Sequence, residues 1–161
     1  MVSRVFSAGL SGIDGYIVTV ECFLSGGLPR LDVVGLPTGA VSEAGERVRA
    51  AAKACAFDWP VSRLTVNLAP ADTKKAGTAY DLPLLLSILA AAGEIDAPPD
   101  NALFFGELSL TGELRPVCGA LSMALAARDA GFKTVFVPAM NAAEASYASG
   151  VTVFPIRTLN E

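Results

Sequence analysis

Residues of opposite character alternate near the start of this chain. Val18, Val20 and Cys22 interleave with Thr19, Glu21 and Phe23, a period of two that marks a strand with one buried face. The pattern predicts strands over Ser3 to Leu10 and Tyr16 to Leu24, joined by a turn at Gly12-Ile13-Asp14-Gly15. A second turn, Ser25-Gly26-Gly27-Leu28-Pro29, leads to a third strand over Arg30 to Gly35. Three strands before any helix predict an antiparallel meander.

The period then lengthens. Val41, Ala44, Val48, Ala51, Ala52 and Cys55 fall on one face of a helix predicted from Val41 to Phe57. Ser42 is its expected N-cap, Glu43 favours its first turn, and Glu43 with Arg47 forms an i, i+4 ion pair. Phe57-Asp58-Trp59-Pro60 stops it. A strand over Arg63 to Leu68 precedes a loop. After the loop, Leu82 to Ala92 reads as a helix apolar on every side, and therefore covered on every side, closed by Gly93.

Beyond the surface loop at Pro98-Pro99, Leu103 to Leu110 and Glu113 to Val117 predict a hairpin around Thr111-Gly112. A helix over Gly119 to Ala130, a strand over Thr134 to Pro138, a short helix over Asn141 to Tyr147 and a strand over Val151 to Pro155 follow. Asn141 and Glu144 have capping-box spacing. Helix and strand in alternation predict βα layering, so the fold class is α/β with antiparallel strands at the N-terminus. Residues 1–161 read as one domain. The final residues, Ile156 to Glu161, read as a linker or the start of a further element, so a fragment of a longer protein is expected.

Composition narrows the chemistry. Charged residues make up 17% of the chain, against about 25% in a typical domain, which points to a surface covered by another domain or subunit, or to a compact alanine-rich domain. A net charge of −4 provides no global field for nucleic acid, though local basic patches remain open. No apolar run is long enough for a membrane span, and the first residues lack the pattern of a secretory signal. The three cysteines, Cys22, Cys55 and Cys118, have no CxxC spacing and read as reduced thiols of a cytoplasmic protein. There are no histidines, which removes Ser-His and Cys-His catalysis and most zinc sites.

The loop Pro70 to Tyr80 joins a strand to the buried helix, whose start offers free N–H donors. Lys74 and Lys75 in that loop are candidates for phosphate-backbone contacts, or are simply solvated and balanced by Asp72. Arg47, Arg49 and Lys53 form either a basic strip for DNA or a neighbouring subunit, or the polar side of an amphipathic helix. Asp72, Asp81, Glu107 and Arg115 read as structural motif residues: Asp81 as a helix cap, and the carboxylates as partners of Lys74, Lys75 or Arg115 or as ligands of a cation.

Six motifs occur in order: Val33-Val34-Gly35-Leu36-Pro37, Glu46 to Ala51, Thr65 to Asp72, Asp81-Leu82-Pro83, Gly106 to Val117 and Asn141 to Ala145. Together they closely resemble the N-terminal domain of the magnesium-chelatase-like AAA+ ATPases of the ComM competence-protein type. The resemblance implies a ribosomal-protein-S5-domain-2-like fold related to the proteolytic domain of Lon and to the C-terminal domain of RadA-type ATPases. It implies a parent that forms a homohexameric ring, whose motor uses ATP and Mg2+ and drives branch migration of DNA during natural transformation. The expected partners are the parent's own AAA+ domain, neighbouring subunits, and branched or single-stranded DNA. The family name reflects the motor and does not imply insertion of magnesium into a porphyrin.

Set against the Lon pattern, Gly77-Thr78-Ala79-Tyr80-Asp81 places Ala79 at the nucleophile position, and Cys118-Gly119-Ala120-Leu121 places Leu121 at the general-base lysine. A methyl group cannot attack a carbonyl and an isobutyl group cannot take a proton. No Gly-Lys pair occurs in the chain, so the phosphate-cradling loop of an ATPase is absent as well. The expectation is a non-catalytic accessory domain that holds no cofactor and no metal of its own. Two alternatives stand beside it: a nucleotide- or small-molecule-binding enzyme of the same fold, for which Thr73 to Thr78 has only a single glycine, and a pure protein-interaction module.

Overall fold

A computed structural model describes residues 2–160; Met1 and Glu161, at the two ends of the readings above, lie outside the described residues. The alternating start folds as β1 (Val2–Ser11) and β2 (Asp14–Ser25). The two pair antiparallel from Val2↔Phe23 to Ser11↔Asp14, and Gly12 turns the chain at φ 66°, where a side chain would be strained.

The third strand does not complete a meander. β3 (Arg30–Val34) lies at the edge of the sheet, and β4 (Arg63–Ala69) enters between it and β2. β4 runs antiparallel to β2 and parallel to β3. A parallel neighbour needs a crossover connection. The segment between β3 and β4 supplies it with α1 (Gly39–Ser42) and α2 (Ala44–Ala54).

The single helix predicted over Val41 to Phe57 is thus two helices broken at Glu43. Ser42 is the last residue of α1 rather than a cap, and neither helix has a side-chain cap bond. The inward face is as the spacing predicts: Val41, Ala44, Val48, Ala51 and Ala52 are buried, while Cys55 is half-buried. α2 stops early because Ala56 takes φ 65°. Phe57 N–H then reaches Ala52 O at 2.9 Å and Ala56 N–H reaches Lys53 O at 3.1 Å, a Schellman stop with alanine in the usual place of glycine.

α3 (Asp81–Ala91) is the central helix, with nine of its eleven residues buried, which its apolar circumference demands. β5 (Ala102–Phe104) joins the main sheet beside β1, whereas β6 (Glu107–Leu108) and β7 (Leu114–Arg115) form a separate two-stranded hairpin. The expected longer hairpin is therefore divided between two sheets. α4 (Ala120–Asp129), β8 (Thr134–Pro138), a 3-10 turn (Ala139–Asn141), α5 (Ala142–Ala145) and β9 (Thr152–Ile156) complete the order. The Asn141–Glu144 capping box is not formed. Asn141 instead accepts from Val117 N–H at 2.9 Å and donates to Val117 O at 3.0 Å.

The seven-stranded sheet runs β3-β4-β2-β1-β5-β8-β9. On one face Val5, Val18, Val20, Leu64 and Val66 pack with residues of α2 and α3; on the other Ala8, Leu103, Val135 and Val137 pack with α4 and α5. The fold is mixed α/β, with an antiparallel N-terminal pair followed by βα layers. A C-terminal strap crosses the small hairpin: Leu114 N–H donates to Arg157 O and Leu159 N–H to Gly112 O, each at 2.8 Å. No helix among the described residues is long and apolar enough to cross a membrane.

Candidate functional site

The loop between β4 and α3 separates its two lysines. Lys74 is exposed, and its carbonyl accepts the Tyr16 hydroxyl at 3.3 Å. Lys75 is fully buried, and its ammonium donates to the Pro70 carbonyl. Its main chain is held as well: Lys75 N–H donates to Leu36 O at 2.9 Å, and Thr38 N–H to Lys75 O at 2.8 Å. Lys75 therefore staples this loop to the one after β3, and its expected place on an exposed contact surface is corrected. Burial lowers its pKa, and exposed Asp72 pulls the other way.

Arg47 is also drawn inward. From α2 it reaches the start of α3, where Nε and Nη2 bind the two oxygens of Asp81 at 2.8 and 2.9 Å, and Nη2 also reaches Ala40 O at 3.0 Å. Asp81 is 1% exposed and accepts Leu108 N–H from β6 at 3.0 Å. The Asp81 carboxylate therefore joins three elements instead of capping its own helix, and Arg47 pairs with it instead of with Glu43. Burial raises the Asp81 pKa, against Arg47 and the Leu108 N–H, which favour the carboxylate. The hydrogen bond to Asp81 raises that of Arg47. Half-buried Glu107 adds negative potential at both and sits opposite exposed Arg115 in the hairpin register.

Behind the loop lies a cleft of about 310 Å³, lined by Gly9, Leu10, Thr78, Ala79, Tyr80 and Cys118 among others. Ala79 presents only a methyl group there. Leu121 is not among the lining residues; it packs against the α4 core, and its N–H donates to Glu144 Oε2 at 2.9 Å. The buried Tyr80 hydroxyl bonds Tyr16, and burial together with that neighbour raises its pKa. Arg49 and Lys53 remain exposed on α2, beside a second groove of about 850 Å³ between that helix and β3. No group of three or more potential metal ligands occurs among the described residues.

The junction lies inside a region that matches a known family. A family model described as subunit ChlI of Mg-chelatase matches residues 20–141. The chain belongs to that family. Among its relatives, the uncharacterized protein Rv2897c of Mycobacterium tuberculosis is 43% identical over 161 residues, 99% of this chain and 32% of that protein. Competence protein ComM of Haemophilus influenzae is 41% identical over 156 residues, 96% of this chain and 30% of its own length. This ChlI-family chain thus spans about a third of the length of the curated relatives it matches. Partial likenesses extend to DNA repair protein RadA of Escherichia coli, 32% identical over 88 residues, and to a mitochondrial Lon protease homolog of Caenorhabditis briggsae, 36% identical over 80 residues. The kinship with Lon and RadA expected from the motifs is borne out.

Motif reading located the junction but missed its bonds. The acceptor of Lys75 and the Leu108 N–H were not anticipated, and Arg47 was assigned to Glu43 rather than Asp81, because a motif marks residues without saying which of them meet across the fold. The available signal was Asp81, a charge at the head of the uncharged run Leu82 to Gly93, which calls for a cationic partner once that run is buried.

Proposed function

We propose that this chain is the N-terminal accessory domain of a magnesium-chelatase-like AAA+ ATPase and performs no chemistry of its own. The observation that carries this reading is the likeness to competence protein ComM, which takes in 96% of this chain but only 30% of ComM. The parent's remaining length would hold the motor, with its ATP and Mg2+, in a cytoplasmic homohexamer. In this reading the motor moves DNA, as in natural transformation, and the domain orders subunits or presents branched or single-stranded DNA. Ala79 at the nucleophile position supports a scaffold without peptidase chemistry, since its side chain has no lone pair to offer.

Exposed Lys74, Arg49, Lys53 and Arg115 are the proposed contacts to DNA or to neighbouring subunits. Lys75 and Arg47 are spent on internal bonds and support those contacts only by holding loops in place. The test compares the full-length parent with a form lacking residues 1–161. Loss of branch migration or of hexamers with DNA-free ATPase retained is the expected result. Unchanged motor activity on DNA, or ATP turnover by residues 1–161 alone, refutes the reading. Fluorescence anisotropy with Holliday-junction, forked and single-stranded DNA tests the DNA role directly. Binding should fall with salt and with Lys74→Ala.

A pure protein-interaction role is favoured by the net charge of −4 and by the mixture of acids and bases around the larger groove. Absence of any DNA binding at low salt decides for it.

A further inference from the structure

The two edges of the main sheet are built differently. At β9, Thr152 N–H points inward to Lys133 O at 2.9 Å, so by strand alternation Val153 and Pro155 turn their main chain outward. Pro155 has no N–H to offer there, a guard against strand addition. At the opposite edge β3 pairs with β4 alone and contains no proline from Arg30 to Val34. The chain leaving β3 turns inward: Leu36 O accepts Lys75 N–H at 2.9 Å, and Thr38 N–H donates to Lys75 O at 2.8 Å. The outer row of β3 donors and acceptors has no strand partner among the described residues.

The two faces of β3 differ as well. Leu31 and Val33 pack toward the core beside Leu64 and Val66. By alternation Arg30, Asp32 and Val34 lie on the other face. There Arg30 Nε donates to Asp32 Oδ1 at 2.9 Å, and Arg63 of β4 stands 3.8 Å from the same carboxylate. Val34 is exposed, as is Leu28 just ahead of the strand.

Two copies that join these edges antiparallel are related by a two-fold axis normal to the sheet, which keeps like faces together. The axis must then pass between one residue and its own counterpart. At Arg30 or at Asp32 it sets like charges directly opposite, which is unfavourable. At Val33 it sets Asp32 against Val34 and draws in residues 35–36, which turn away toward Lys75. At Leu31 it sets Arg30 against Asp32 on both sides of the axis, with Leu31 against Leu31 on the apolar face. The same register brings exposed Leu28 toward exposed Val34 of the second copy.

From these constraints we infer that β3 pairs antiparallel with β3 of a second copy of this chain, about a two-fold axis at Leu31. The pairing joins the two seven-stranded sheets into one. Since β9 is guarded by Pro155, association closes at two copies and does not run on into a fibre. The contact is two-fold, so it stands apart from any six-fold ring contact of the proposed motor and from any DNA contact.

Sedimentation velocity over a concentration series up to about 1 mM, the weak end of specific association, should show a monomer–dimer equilibrium and nothing larger. On dilution the backbone amide signals of residues 30–34 should shift, while those of residues 152–156 stay fixed. Arg30→Asp sets acid against acid at both pairs, and Asp32→Arg sets base against base. Each variant alone should weaken the dimer at least fivefold. Mixed together, the two should form a heterodimer, because every opposed pair is again of unlike charge. The exposed neighbours Arg128 and Asp129 on α4, reversed singly and mixed in the same way, are the control for bulk attraction and should leave association unchanged. The assignment is overturned if the chain stays monomeric throughout, which would leave the edge to a strand of another protein. It is overturned equally by species larger than a dimer, by amide shifts that miss residues 30–34, or by edge variants that associate no better when mixed than the control pair does.

Discussion

Arg47 and Asp81 lie 34 residues apart in sequence and bind each other through two hydrogen bonds of 2.8 and 2.9 Å. This bidentate pair fixes α2 to the start of α3, and the third bond, from Leu108 N–H at 3.0 Å, adds the small hairpin. Removing the acid leaves the guanidinium without its counter-ion, holding only the Ala40 carbonyl, and the buried Leu108 N–H without its acceptor. Asp81→Ala should therefore destabilise the fold by about 3 kcal/mol, the low end for breaking a buried pair because Arg47 keeps some contact with water. Replacing both, as Arg47→Met with Asp81→Leu, should cost less than Asp81→Ala alone. Urea denaturation of the single and double variants measures this. A cost below about 1 kcal/mol for Asp81→Ala would show that the pair contributes little.

The buried ammonium of Lys75 makes stability depend on alkaline pH. Its folded pKa lies below its ordinary value of 10.5 because burial disfavours the charge. Between the folded and unfolded values the unfolded chain holds more protons, so stability rises with pH across that window. The penalty is full below the lowered value and gone above 10.5. Lys75→Met removes the titrating group, so the wild type should gain on the variant as pH climbs toward 10.5. Parallel denaturant curves from pH 7 upward check the sign. A gap that stays constant or moves the other way refutes it.

Gly9 is required by contact rather than by backbone angle. A Cβ there would stand 2.0 Å from the Tyr80 hydroxyl and 3.0 Å from the Tyr16 ring. Gly9→Ala should cost about 1–3 kcal/mol through overpacking. Gly26→Ala is the matched control, with no atom within 4 Å of its added Cβ, and should change stability by less than about 0.5 kcal/mol. Equal thermal midpoints for the two variants would contradict the close approach.

Thiol labelling should follow burial. Cys118 is exposed and Cys22 fully buried, with burial pushing the Cys22 thiol up to about 11. Only the thiolate is nucleophilic, so iodoacetamide at neutral pH should modify Cys118 first and Cys22 only on unfolding. Peptide mass spectrometry over a time course gives the order. Early modification of Cys22 would mean that the sheet opens in the native state.

The strands that alternate were legible because burial on one face writes itself into every second residue, as in Arg63–Ala69, where Leu64, Val66 and Leu68 point in. The all-apolar helix at Leu82 was legible for a similar reason. Strand order was not. Nothing local to Arg30–Val34 states whether its neighbour is the preceding strand or one some thirty residues later. That choice is made by the crossover helices and the core beneath them. Charged residues were read least well. Lys74 and Lys75 look alike in sequence, yet only Lys75 finds the Pro70 carbonyl, and Arg47 is taken by a carboxylate more distant in sequence than Glu43. Asn141 has the chemistry of a cap but meets both polar groups of Val117 first.

The strap at Arg157 and Leu159 is tied by two backbone bonds to the small hairpin, and that hairpin is tied through Leu108 to Asp81. Tension applied along the C-terminal segment therefore falls first on a pair of short bonds pulled side by side. Beyond them it divides, one branch running along the chain into β9 at Ile156 and the other through the hairpin to α2 and α3. The molecule has in effect a tether point that spreads a pull over the edge of its β-layer and its central helices at once.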